Sequence, residues 1–252
     1  MASLSTQMKA ALWSISDMQA GERAEGEAKL VAKVIRHWER RLHIKVRTVL
    51  DVPCGLGRHH GPLKKAGFDV YGVDIEPEFV GLARARNSGD GKHYVVGDMR
   101  HTGLPSGSFD AVLNLFTSFG YFDRKGNMET LREFNRLVGK GGLLILQTNT
   151  AGPAGGAAPI VFADDADPGI VRLVRNHPSG KSWIMDMELL RKDGRHYDIM
   201  AVARRRISHL PVMEVRPTLR RAGFKVLAIY SDYSMEPAKP KDRRILVVAR
   251  KA

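Results

Sequence analysis

Thr48-Val-Leu-Asp51-Val-Pro53-Cys54-Gly55-Leu-Gly57-Arg58 is the stretch on which the fold of this chain turns. Three residues suited to a buried strand run into a carboxylate, a tight glycine-containing turn follows, and a helix opens over 58–66. A ligand's main chain or ribose approaches such a turn only where side chains are missing, and Gly55 and Gly57 leave that room. The Asp51 carboxylate either accepts from an ammonium group of a ligand or caps the turn at Cys54 and Gly55. A dinucleotide fingerprint would place a third glycine at position 60, where the chain has His60 followed by Gly61, so pyrophosphate binding is disfavoured.

Working outward, apolar runs of strand length alternate with helical periods: a strand over 69–74, a helix over 77–86, strands over 93–96 and 109–116, a helix over about 125–138 and a strand over 142–148. Short apolar strands in such alternation need helices on both faces, which predicts a doubly wound, mostly parallel α/β sheet with ligands at the carboxyl ends of its strands. Upstream, Leu30, Val31, Val34, Ile35, Trp38 and Leu42 recur at helical spacing, so a helix is expected over 27–42. Residues 21–26, with a glycine at each end, read as a break before it.

Residues 151–159 are almost entirely Ala, Gly and Pro and read as a hinge or loop. Beyond them, Trp183, Met185, Met187 and Leu189 alternate with polar or outward positions. Asp193-Gly194 then precedes a second alternation through Tyr197, Ile199, Ala201 and Ala203, which is a hairpin signature. A helix over 214–222 closed by Gly223 and strands over 225–230 and 244–249 return to the α/β pattern. The expected organisation is therefore an N-terminal helical flap and first helices (1–44), an α/β core (45–150), an inserted antiparallel β cover (151–212) and a C-terminal completion of the core (213–252).

The second strand ends at Asp74, 23 residues after Asp51, the spacing at which a carboxylate reaches paired ribose hydroxyls beside the first turn. The third leads into Asp98-Met99 and the fourth into Asn114-Leu115-Phe116. Each carboxylate also has a plainer reading: Asp74 as the cap of the helix beginning near Pro77, Asp98 as the brace of its own loop. His59 and His60 lack a third partner of metal-ligand spacing and read as solvated or capping residues, so no metal site is expected.

This ordered series resembles the class I S-adenosylmethionine (SAM)-dependent methyltransferases, in particular their branch of mostly small-molecule enzymes with a β-rich insertion after the fifth strand, over residues of roughly 45–250. The resemblance implies a seven-stranded sheet and SAM as cofactor, leaving S-adenosylhomocysteine (SAH) as product. It implies that Asp51, Cys54, Gly55 and Gly57 cradle the methionine part, that Asp74 with Ile75 binds ribose, that Asp98 and Met99 hold adenine, and that Leu115 and Phe116 line the pocket. Trp13 is similar to residues of N-terminal flaps that close over SAM, and residues 139–142 to the family's turn before its fifth strand. Pro53 departs from the glycine common there and removes one amide. A Pro-Cys dipeptide serves as nucleophile elsewhere in the superfamily only after the fourth strand, so Cys54 reads as a small packing residue, and Asn114, without the two prolines of amino-methylating DNA enzymes, as a strand residue.

Methyl transfer from a sulfonium chiefly needs an aligned nucleophile and no water, and the methyl group is expected near the end of the fourth strand. There Thr117, Ser118, Phe119 and Tyr121 present hydroxyls and rings, with Tyr121 and Ser118 as positioning candidates. Asn149, Trp183 and Tyr233 are candidates for substrate contacts.

Composition bounds the partners. Residues 151–252 hold 19 Lys+Arg against 11 Asp+Glu, so +8 of the net +13 lies there. That balance keeps methylation of RNA or protein open beside a small-molecule acceptor, although a solvated basic face explains it equally, and a non-catalytic SAM- or nucleotide-binding role is a separate alternative. No apolar run approaches the roughly 20 residues of a membrane-spanning helix. With one cysteine and no secretory signal pattern at the start, a cytoplasmic location is expected. The oligomeric state is not written in the sequence.

Overall fold

The computed structural model describes residues 21–151, 160–163, 169–180 and 182–252. Helix α1 (Gly21–Leu42) begins earlier than its apolar period suggested and runs straight through the expected break at 21–26. Ala24, Ala28, Val31 and Ile35 form one buried stripe, and Lys29 pairs with Glu25 one turn back. Packing of that stripe outweighs the cost of about 1 kcal/mol that Gly26 imposes on a helix.

Strands β1 (Thr48–Asp51), β2 (Asp69–Asp74), β3 (Tyr94–Val96), β4 (Phe109–Asn114) and β5 (Val138–Asn149) alternate with helices α2 (His60–Lys65), α3 (Pro77–Arg86) and α4 (Arg124–Leu137). After the insertion come α5 (Val212–Arg221), β10 (Phe224–Tyr230) and β11 (Arg244–Lys251). The seven strands lie in the order β10-β11-β5-β4-β1-β2-β3. The first five pair in parallel, while β11 runs antiparallel between β5 and β10. This is the doubly wound, mostly parallel seven-stranded sheet that the sequence predicts. The glycines at 139–142 fall inside β5 rather than in a turn before it, but regular pairing with β4 resumes only at Leu143.

Why the central strands read as continuous apolar runs is visible in their two faces. Leu50, Val112, Leu144 and Val247 pack with Leu131 and Phe134 of α4 and Leu219 of α5, whereas their neighbours Val49, Leu113, Ile145 and Val248 pack with Val31 and Ile35 of α1. Each such side chain contributes about 1.5–3 kcal/mol by leaving water, so both faces must be apolar for the sheet to be held.

Between β5 and α5 the chain builds a second, antiparallel sheet in the order β6-β7-β8-β9, from β6 (Ile160–Ala163), β7 (Ile170–Ser179), β8 (Ser182–Asp193) and β9 (His196–Ser208). The β8–β9 hairpin closes over Gly194, at φ 57°. Ser208, ending β9, donates its amide to Gly120 O at 2.8 Å, and Leu210 donates to Asn149 O at 2.9 Å, which fastens this sheet above the carboxyl ends of β4 and β5. No described helix is long and apolar enough to cross a membrane.

Candidate active site

A cavity of about 930 Å³ lies between the strand ends of the main sheet and the second sheet, at the upper end of the range of about 300–1,000 Å³ usual for ligand pockets. Its floor begins at the turn after β1. Cys54 N donates to Val73 O at 2.8 Å, and Gly55 N donates to Asp74 Oδ2 at 2.9 Å, so the first turn is tied to the end of β2. Asp74 Oδ1 also accepts from Glu76 N at 3.1 Å, a local turn bond, whereas the N-cap position of α3 expected for Asp74 is held by Glu76. Burial pushes the Asp74 carboxyl up, and these backbone amides offset only part of that.

Beyond β3, Asp98 takes a bidentate contact from Arg100, at 3.1 Å from Nε and 2.6 Å from Nη2, and also accepts the Arg100 amide. The hydrogen bonds from Arg100 hold the Asp98 carboxyl below its ordinary value. Each Asp98 oxygen thus takes two contacts from Arg100, which fixes the carboxylate at the cavity wall. After β4, Phe116 and Thr117 both stand at φ 56°. For a β-branched threonine that is a costly conformation of the kind that persists where a site over-determines the backbone.

Of the residues that the sequence singled out, Asp51, Cys54, Gly55, Asp74, Ile75, Asp98, Met99, Leu115, Phe116, Ser118, Tyr121, Asn149 and Trp183 all line this cavity. Three others lie elsewhere or outside the description. Gly57 faces away from the cavity at φ 67°, where a Cβ would stand 2.6 Å from the Tyr94 hydroxyl. Tyr233 packs on the opposite side of the sheet, with the α1 cluster; burial there raises its phenol above the ordinary value. Trp13 lies outside the described residues. Phe119, expected among the rings at the site, is buried in the core with Leu131 and Phe134 instead.

The histidines depart furthest from expectation. Neither is solvated: His59 is 4% and His60 3% exposed. His59 Nδ1 is 3.4 Å from Asp51 Oδ2 and its Nε2 3.3 Å from Glu27 Oε2, on which Arg58 also converges at 3.0 Å. Burial disfavours the imidazolium, but the hydrogen bonds it donates to Asp51 and Glu27 outweigh that and the pKa of His59 is raised. Arg58 in turn lies over the Phe116 ring, 4.3 Å from its centroid. Glu27 lies 24 residues before Asp51 and is marked in the sequence only as the start of an expected helix. Among the described residues no group of three or more His, Cys, Asp or Glu is arranged to hold a metal ion.

The upper wall is the inner face of the second sheet. Arg172, Val174 and Asn176 of β7, Trp183, Met185 and Met187 of β8, and Arg205 and Ile207 of β9 line the cavity. Arg204 and Arg206 are also among its lining, but the three guanidinium groups of the Arg204-Arg205-Arg206 run take different partners. Arg204 pairs outside with Asp186 at 2.6 Å, Arg206 donates to Ser182 Oγ at 3.1 Å, and Arg205 turns inward over the Tyr121 ring at 4.7 Å.

Comparison with known proteins agrees with this geometry. Residues 50–146 match the family described as methyltransferase domain. The chain is 24% identical over 208 residues to the putative methyltransferase YqeM of Bacillus subtilis, covering 81% of this chain and 84% of that protein. Over 106 residues, 42% of this chain and 38% of that protein, it is 32% identical to a dTDP-3-amino-3,6-dideoxy-alpha-D-glucopyranose N,N-dimethyltransferase of Streptomyces fradiae. Its backbone resembles that of a SAM-dependent methyltransferase of Clostridium acetobutylicum with a TM-score of 0.76 at 17% identity, covering 92% of this chain and 94% of that one. Sheet order and matched domain define a methyltransferase of the Rossmann-like superfamily. Residues 50–146 are thus a methyltransferase domain, and the chain is an enzyme.

Proposed function

We propose that this enzyme methylates a nitrogen or oxygen of a small molecule held beneath the second sheet. The observation that carries this reading is the cavity itself: one wall is the row of strand-end carboxylates and the other a mainly apolar roof, with Ser118 and Tyr121 between them. The S. fradiae relative, a sugar N,N-dimethyltransferase by name, points the same way.

The residues present suit SAM. Its donors are an ammonium, two ribose hydroxyls and an adenine amino group, and the cavity offers the acceptors Asp51, Asp74 and Asp98 in that order along the strand ends. In this reading Asp51, Cys54 and Gly55 hold the methionine part, Asp74 with Ile75 the ribose, and Asp98 with Met99 the adenine, while Leu115 and Phe116 close the pocket around the sulfonium. Gly57 acts from behind, by letting the turn pack on Tyr94. When bound, SAM supplies a methyl group on a positively charged sulfur.

The chain's own contribution is alignment and exclusion of water. Tyr121 and Ser118 position the nucleophile, with Asn149 and Trp183 as its further contacts, and good alignment alone supplies about 7–11 kcal/mol of a barrier. The buried lone thiol of Cys54 suits a cytoplasmic setting.

Methylation of RNA or protein is the second reading, and the basic balance of residues 151–252 favours it. On the outer face of the roof, however, Arg175 pairs with Glu188 and Arg204 with Asp186, which offsets the charge a polyanion would meet. Incubation with methyl-labelled SAM and fractionated cell extract separates the readings. Label is expected in the metabolite fraction, and label confined to RNA or protein would overturn the small-molecule assignment.

A further inference from the structure

His59 stands where three elements meet. It occupies the N-cap position of α2, yet its side chain caps no helix amide. Instead its Nδ1 is 3.4 Å from Asp51 Oδ2, at the tip of β1, and its Nε2 is 3.3 Å from Glu27 Oε2, near the start of α1. All three residues are buried, and both Asp51 and His59 line the cavity.

A neutral imidazole carries one N–H, so between two carboxylates one of its nitrogens would turn a lone pair toward an anion. Only the imidazolium donates on both sides, and the raised pKa of His59 agrees with that. The charges then balance within the cluster. Asp51 and Glu27 supply two negative charges, His59 and Arg58 two positive ones, and Arg58 Nη2 closes the set at 3.0 Å from Glu27. Pairing of this kind is what makes the burial of four charged groups tolerable.

The two carboxylates differ in how they are engaged. Glu27 is met by both cations of the cluster. Asp51 gives Oδ2 to the ring, while its Oδ1 makes no hydrogen bond among the described residues and is not sealed within the protein. An aspartate's terminal torsion is broad, so an untethered Asp51 would present either oxygen over a range of angles. A cluster that served only to pin α1 to β1 would have no use for a carboxylate with one oxygen left over at a cavity wall.

We propose that His59 is a positioning residue of the cofactor site, steadied from behind by Glu27: with Oδ2 held by the ring, Asp51 keeps Oδ1 aimed at the ammonium of the methionine part. This rests on the reading in which Asp51 holds that end of SAM. In this role the ring acts through one carboxylate and contacts no reacting atom. The consequence is selective, because a ligand with the amino-acid tail gains from His59 and Glu27 and one with adenosine but no tail does not.

Two probes separate this role from mere support of the fold. SAH carries the ammonium, whereas 5′-deoxy-5′-methylthioadenosine keeps the adenosine and the thioether and lacks the amino acid. Both are titrated by calorimetry into the full chain and its variants at one neutral pH, and the parent protein is expected to prefer SAH. His59→Gln, with one amide donor group in place of two ring donors, should lower that preference about tenfold while methylthioadenosine affinity stays within about twofold. Glu27→Gln should lower it about threefold, because the ring remains but loses its far anchor. Asp51→Asn should lower it about tenfold, and His59→Gln added to Asp51→Asn should lower it no further, since the ring then has no carboxylate to aim.

A preference for SAH unchanged in both His59→Gln and Glu27→Gln would overturn the role. Equal losses for the two probes would do the same, being the mark of a residue that only supports the fold, and so would full additivity in the double variant. Should His59→Gln fail to fold, the Glu27→Gln preference decides. No effect of Asp51→Asn on the preference, or a parent protein that bound no SAH, would instead strike the reading of the cofactor end on which the role rests, and the two failures are thus told apart.

Discussion

Oδ2 of Asp74, at the end of β2, accepts the amide of Gly55 in the turn after β1 at 2.9 Å. One carboxylate thus braces the backbone that must approach the cofactor while it also faces the cavity. The two duties come from neighbouring parallel strands of unequal reach: Asp51, the last residue of β1, pairs with Gly72, and β2 runs on to Asp74 beside the turn that follows β1.

Asp74→Ala is expected to weaken SAH binding by about 1–3 kcal/mol, because a buried acceptor is lost and the Gly55 amide is left without its partner. Calorimetric titration reads this directly, and an affinity equal to that of the parent protein would remove Asp74 from the ribose assignment.

His59 gives the fold a pH signature. Its pKa is raised in the folded protein by Asp51 and Glu27 against the cost of burial. Folding therefore favours the protonated ring. The stabilisation is fully present below the ordinary histidine value of about 6.5 and is lost as pH rises through the raised folded value. In urea titrations the stability gap between the parent protein and His59→Gln should be widest near pH 6 and shrink toward pH 9. A gap that did not change with pH would contradict it.

Gly120→Ala should loosen the roof. Gly120 stands at φ 106°, and a Cβ there would meet the Ser208 carbonyl oxygen at 2.4 Å, backbone against backbone. Overpacking of this kind costs about 1–3 kcal/mol. The change acts on the join between the sheets, so turnover is expected to fall while SAH affinity holds. Unchanged melting temperature and turnover together would show that the join is not needed.

Tyr121→Phe removes a hydroxyl and keeps the ring under Arg205. Methyl transfer to the active metabolite fraction should drop by about tenfold, the equivalent of one good hydrogen bond in the transition state, with SAH binding unaltered. Full activity in this variant would leave Tyr121 only a packing role.

Much of this protein was legible in one dimension. The strand ends at Asp51, Asp74 and Asp98 and the switch between periods of 2 and 3.6 are local facts, because a parallel sheet buried on both faces accepts only short apolar strands and puts its loops at one rim. Those features carried the sheet, the hairpin and the carboxylate row. Gly26 inside α1, Tyr233 behind the sheet and Phe119 in the core were misplaced for a shared reason: each is settled by what packs against it from a distant part of the chain. The same holds for Glu27, His59, Arg172 and Arg205. A run such as Arg204-Arg205-Arg206 looks uniform as sequence, and only the pleat of β9, set by its register with β8, decides that Arg205 lies over the Tyr121 ring while Arg204 pairs with Asp186 and Arg206 with Ser182. The sequence by itself determined the order and class of the elements and the acids at their tips. Which buried charges meet across the site was decided by tertiary structure, since side-chain contact between residues far apart exists only once the sheets are formed and fastened together.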